Sequence, residues 1–108
     1  MSDEIVKLVV YVPVNDADKI RALLGEMNCG HIGNYDYCSF SIKGAGRFRP
    51  LDGSRPAIGK KGEIEVVEEE RIETVLKKSN LSDVLNAVRK AHPYEEAAID
   101  VYPLVGIE

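Results

Sequence analysis

No apolar stretch in this 108-residue sequence approaches the roughly 20 residues that a helix needs to cross a bilayer, so no membrane span is expected. The opening Met1-Ser2-Asp3-Glu4 is acidic where a secretory signal begins basic, and the expected location is the cytoplasm. Cysteine is scarce. Cys29 and Cys38 fit neither C-x-x-C nor zinc-finger spacing, so reduced, partly buried thiols are expected in place of a redox pair or a structural zinc. Excess positive charge is also lacking: the net charge of -4 argues against nucleic acid and against an anionic membrane surface as partners. Nucleotide signatures fail as well. Gly53 and Gly59 enclose five residues before Lys60-Lys61, whereas a P-loop encloses four before Lys and Ser or Thr, and Gly44-Ala45-Gly46 has no third glycine of a dinucleotide turn. No serine stands in a setting that marks a nucleophile with its base. An ATPase, a dehydrogenase or a serine hydrolase is unsupported.

What is present is one ordinary globular domain, with 44% hydrophobic and 30% charged residues and no internal repeat. Ile5 to Val12 is nearly all apolar and β-branched, as in a strand covered on both sides, and Pro13 ends it. Asn15 is a good cap for a helix whose apolar positions are Ala17, Ile20, Leu23, Leu24 and Met27, with an exit over 28–33. Alternation from Tyr35 to Ile42 reads as a half-buried strand carrying Cys38, Phe40 and Ile42 on one face. Glu63 to Lys77 fits either an amphipathic helix or a bulged strand; strand is preferred because a helix here would leave a very small sheet. A second helix, capped by Ser79 or Asn80, carries Leu81, Val84, Leu85 and Val88 on one face and stops at His92-Pro93. Ala97 to Leu104 is the last strand. The order βαββαβ predicts an α+β ferredoxin-like fold, an antiparallel four-stranded sheet with two helices on one face.

Two segments carry chemistry. His92-Pro93-Tyr94-Glu95-Glu96 puts an imidazole, a phenol and two carboxylates at a forced turn, although Glu95 and Glu96 would diverge if they began a strand. The connection over 43–62 is glycine-rich and basic, with Lys43, Arg47, Arg49, Arg55, Lys60 and Lys61 against the single acid Asp52. Its backbone amides near Gly44 and Gly46, with Arg47 or Arg49, suit an anion; the alternative is a solvated loop that offsets the acids of the next strand. The expected ligand-binding set is therefore His92, Tyr94, Glu95, Glu96, Gly44, Gly46, Arg47 and Arg49. His31 and His92 are candidate metal ligands only across a subunit boundary, because the topology places them at opposite poles of the sheet, about 20 Å apart at roughly 3.3 Å per residue. Read by itself, His92 fits a junction histidine bonded to backbone.

Gly30-His31-Ile32-Gly33-Asn34-Tyr35, Cys38-Ser39-Phe40, Gly44-Ala45-Gly46-Arg47-Phe48-Arg49-Pro50, Ile58-Gly59, Glu69-Glu70-Arg71-Ile72-Glu73 and His92-Pro93-Tyr94-Glu95-Glu96 occur in one order. Together they resemble the domain inserted in YqfO-type proteins of the Nif-three-like family, a domain similar in fold to PII signalling proteins and CutA. The resemblance implies strand for the segment after Glu63, assembly into trimers, and a regulatory module binding a small ligand, a metal ion or a Nif-three-like protein partner. It leaves a divalent metal open as cofactor. The competing reading is a metal-dependent nucleotide hydrolase with intersubunit sites; the flanking domains that hold metal in the larger proteins have no counterpart in this sequence.

Overall fold

The computed structural model describes residues 4–106, so the acidic opening at 1–3 lies outside the described residues. The elements are β1 (Ile5–Pro13), α1 (Val14–Glu26), β2 (Phe40–Phe48), β3 (Glu65–Lys77), a 3-10 turn at Lys78–Asn80, α2 (Leu81–Ala91) and β4 (Ile99–Pro103). All strand pairs are antiparallel in one sheet of order β2-β3-β1-β4. This is the expected ferredoxin-like α+β fold.

Alternation along the strands sorts their residues onto two unlike faces. Val6, Leu8, Val10 and Val12 of β1, with Ile72 and Leu76 of β3, meet Ala17, Ile20 and Leu24 of α1 and Val84 and Val88 of α2 to form the core. The other face has no helix. Val9 is nonetheless fully buried there, although the expectation of a strand covered by elements on both sides does not hold. Around it, Arg71 Nε donates to Glu73 at 2.8 Å, Arg71 Nη1 donates to the Tyr11 hydroxyl at 2.7 Å, and Lys7 Nζ reaches Glu73 at 3.4 Å. Long polar side chains thus replace the missing layer.

The Glu73 carboxyl is held below the usual carboxylate range by its hydrogen bond to the Arg71 guanidinium and by Lys7. The folded protein therefore binds that proton less tightly than the unfolded chain. The stabilisation is complete above the unfolded value and is lost as pH falls through the folded one. Urea midpoints measured from about pH 5 to about pH 3 should decline less steeply for Glu73→Gln than for the parent; equal slopes would remove this group from the acid response.

Several local expectations are corrected. Helix α1 begins directly at Val14 with Pro13 at the cap position, and Asn15 lies inside the first turn; the fixed φ of proline already suits the entry. Asn80 occupies the cap position of α2 but makes no side-chain cap bond, its amide donating instead to Met27 O at 2.8 Å and tying the α1 exit to the α2 entry. Strand β2 starts at Phe40, five residues later than read, because Ile32 and Tyr35 bond each other across a tight turn at Gly33-Asn34. It is also not half-buried: Phe40 is 63% and Ile42 50% exposed on the face without helices.

Glu63 to Lys77 resolves as strand, with Glu65–Lys77 ordered in β3 despite its helix-favouring glutamates. Pairing with two neighbours decides it, since β3 bonds β1 over Glu69–Lys77 and β2 over Glu65–Glu73. Glu70 is buried on the helix side, where Arg21 Nη1 donates to it at 2.5 Å. The β2–β3 hairpin runs past the end of β1, giving the molecule extents of 49 × 23 × 22 Å. Because β2 continues to Phe48, the irregular connection is 49–64 and not 43–62; Lys43, Gly44, Gly46 and Arg47 are ladder residues paired with Glu70, Glu69, Val67 and Val66.

Candidate ligand cavity at the hairpin base

Pro93 disfavours helix at the residue before it, and His92 accordingly closes α2 in extended conformation, φ -73° and ψ 138°. The ring turns inward and is 6% exposed. Tyr94 N–H donates to His92 Nδ1 at 3.1 Å, so Nδ1 carries the lone pair and the ring proton belongs on Nε2, which donates to Tyr11 O at 2.6 Å. Both nitrogens are engaged by backbone groups. A metal ion at His92 would have to displace one of them. His31 is exposed at the opposite pole, near Ile5 and Lys77, and among the described residues no group of three or more His, Cys, Asp or Glu side chains is arranged to hold a metal within one chain.

The bend that buries His92 turns Tyr94 onto the hairpin. Its ring lies 5.1 Å from the His92 ring and 5.6 Å from the Phe48 ring, tilted against each. The Tyr94 hydroxyl donates to Glu69 Oε2 at 3.1 Å. Burial, followed by the Glu69 charge and its hydrogen bond, pushes the phenol well above its ordinary pKa, so it stays a neutral donor.

These groups form one wall of a cavity of about 430 Å³. Tyr11, Phe48, Tyr94 and Ala98 supply its floor, and the returning loop adds Pro50, Leu51, Pro56 and Ile58. That loop is fastened by Arg55 N–H, which donates to Glu95 Oε1 at 2.7 Å. Glu96 also borders the space. Glu95 and Glu96 precede β4, which begins only at Ile99, so the divergence expected of adjacent strand residues does not arise.

Of the residues chosen from sequence, Tyr94, Glu95, Glu96, Gly46, Arg47 and Arg49 border the cavity. His92 lies beneath it as a support, and Gly44 is not on its wall. Glu69, Phe48 and Tyr11 were missed. Their signal is cross-strand: Gly46, Phe48, Glu69 and Tyr11 have the same alternation parity and share the helix-free face.

Gly46 has a specific reason to be glycine, because a Cβ there would overlap the Glu69 carboxylate. Gly46→Ala should displace Glu69 and release the Tyr94 hydroxyl, lowering the phenol's titration point in an ultraviolet pH titration while costing about 1 kcal/mol of stability. An unchanged Tyr94 titration would show that Glu69 is held elsewhere.

Comparison with known proteins places this arrangement. No family model matches the chain. Solved structures of CutA share its fold: the periplasmic divalent cation tolerance protein CutA from Archaeoglobus fulgidus superposes with a TM-score of 0.70 at 16% identity, over 96% of this chain and 87% of that one. The chain is thus a CutA-like ferredoxin-fold module. Its sequence relatives are longer proteins. It is 52% identical over 103 residues to the GTP cyclohydrolase 1 type 2 homolog of Bacillus subtilis, covering 95% of this chain and 28% of that protein. The Mycobacterium tuberculosis protein of the same name is 46% identical over 99 residues, covering 92% and 26%. A Bacillus cereus protein related to NIF3 superposes with a TM-score of 0.85 at 46% identity, over 98% of this chain and 27% of that one. The chain therefore corresponds to a CutA-like segment of these NIF3-related proteins and spans about a quarter of their length.

Proposed function

We propose that this module is a non-catalytic regulatory unit that takes a small ligand in the cavity between the hairpin base and the 94–98 segment. The observation that carries the reading is the cavity itself, about 430 Å³ and built jointly by the two segments that the sequence marks for chemistry. Its volume is that of a metabolite site, and Glu69, Tyr94 and Glu95 on its wall are held by hydrogen bonds, which supports ligand recognition there. We also propose that the functional unit is a trimer assembled through the helix-free face. Phe40, Ile42 and Tyr102, the last 43% exposed, lie on that face, and burying them in an assembly would remove apolar surface from water. A NIF3-related protein is the natural recipient of the signal, since this segment recurs within such proteins.

The test is a fragment screen by amide chemical-shift mapping on the full chain, with light scattering for assembly. Shifts clustering at Gly46, Phe48, Tyr94 and Glu95, on a species of three chains, are the expected result. Binding confined to other surfaces would overturn the site, and a strict monomer would overturn the trimer.

A further inference from the structure

Most carboxylates that this protein brings into its packed regions are neutralised. Glu70 is paired with Arg21, Glu73 with Arg71 and Lys7, and Asp16 with Lys19. Half-buried Glu69, on the cavity wall, is not. Glu69, Glu95 and Glu96 border the cavity, and none of the three takes part in an ion pair among the described residues. Glu69 is satisfied at one oxygen by the Tyr94 hydroxyl, while its other oxygen rests over Gly46, in the space that a side chain there would fill, and has no hydrogen-bond partner among the described residues. On the rim, Arg47 and Arg49 are exposed, as are Glu95 and Glu96, which leaves Glu69 as the half-buried charge of the cavity. Arg47 belongs to the opposite strand parity from Gly46 and Phe48, so the carboxylate and the aromatic rings share a face that Arg47 does not.

We propose, resting on the cavity reading above, that the ligand is an organic cation with an apolar or aromatic body. Its charged group sits against Glu69, with Glu95 and Glu96 at the mouth, and its body lies between Phe48, Tyr94 and the Leu51 and Ile58 side chains. The chemistry is complementary on both counts. A cation meets an anion whose remaining surroundings are largely apolar, where charge pairing is weakly screened. The faces of Phe48, Tyr94 and Tyr11 favour a neighbouring positive charge.

The probes are phenethylammonium and 3-phenylpropionate, which share a body and differ in the sign of their charge. Titrated into the full chain, phenethylammonium should shift the amide resonances of Gly46, Phe48 and Tyr94, and phenylpropionate should not. Glu69→Gln keeps an acceptor for the Tyr94 hydroxyl and therefore the fold, and it should weaken the cation by about ten-fold or more. Raising the salt concentration should weaken the parent more than the variant. If both probes shift these resonances equally, or Glu69→Gln binds phenethylammonium as the parent does, the cation assignment is overturned while the cavity reading stands. If neither probe nor any fragment of the screen shifts them, the cavity reading itself falls.

Discussion

Replacing His92 by phenylalanine should lower the free energy of unfolding by about 3 kcal/mol, although the new ring is close to the old in size. Packing is nearly preserved by that substitution, and hydrogen bonding is not. The Tyr11 carbonyl loses the Nε2 proton it accepts at 2.6 Å, and the Tyr94 amide loses the Nδ1 lone pair at 3.1 Å. Two backbone groups are then left without their partners at a buried junction, each costing about 1–3 kcal/mol. Urea unfolding of the variant should show a lower midpoint with an unchanged slope. The same variant should also alter the cavity, because the Tyr94 ring rests on His92 and its hydroxyl holds Glu69. A loss below about 1 kcal/mol would mean that the two bonds contribute little and that Pro93 alone fixes the turn.

An equally large effect is expected at the other pole from Gly30→Ala. Gly30 has φ +79°, and a Cβ there would run into the backbone of Cys38. Holding a side chain in that conformation costs about 1–3 kcal/mol, and the overlap adds a further cost of similar order, for a total of about 3 kcal/mol or more. Backbone is involved on both sides. Gly30 N donates to Val75 O at 2.6 Å, Cys38 N donates to Gly30 O at 3.0 Å, and Thr74 Oγ1 donates to Cys38 O at 2.8 Å. A displacement at Gly30 therefore loosens the attachment of the 30–38 segment to β3. Cys29, adjacent and buried, has its thiol pushed up to about 11 by desolvation, so enhanced modification by a thiol reagent provides a second readout of the opening. Gly33→Ala is the control. It has a similar positive φ of +57° but nothing within 4 Å of the added carbon, and it should cost only about 1 kcal/mol. Equal losses at the two positions would show that conformation, and not the close approach, sets the cost.

The order of elements was legible because all but β3 have a strong local cause. The β-branched run of β1, the helical spacing of Ile20 and Leu24, and the stop at Pro93 all act within a few residues. Errors arose where a partner distant in sequence decides the outcome. Phe40 and Ile42 alternate like residues of a half-buried strand, yet they belong to an edge strand on the face without helices. Asn15 has the chemistry of a cap, but Pro13 already occupies that position. Glutamates in β3 favour helix, and the ladders to β1 and β2 override them. The candidate site follows the same division. Tyr94, Glu95 and Glu96 stand out in the sequence because they crowd a turn. Glu69 does not, since its meaning comes from lying across Gly46, a residue of the neighbouring strand.

One feature of the sheet concerns how such a module is carried. β1 and β4 are antiparallel neighbours, with Val6 opposite Pro103 and Leu104 N–H directed to Ile5 O. The backbone thus enters and leaves the fold side by side, at a separation near the spacing of adjacent strands, about 5 Å. A graft with that footprint fits into a surface turn of a host protein without prising the host apart. The cavity lies at the far end of β1, roughly 20 Å from this double stem; in the longer proteins of which the matching segment is about a quarter, the corresponding pair of strands would be the covalent tether between such a cavity and the rest of the chain.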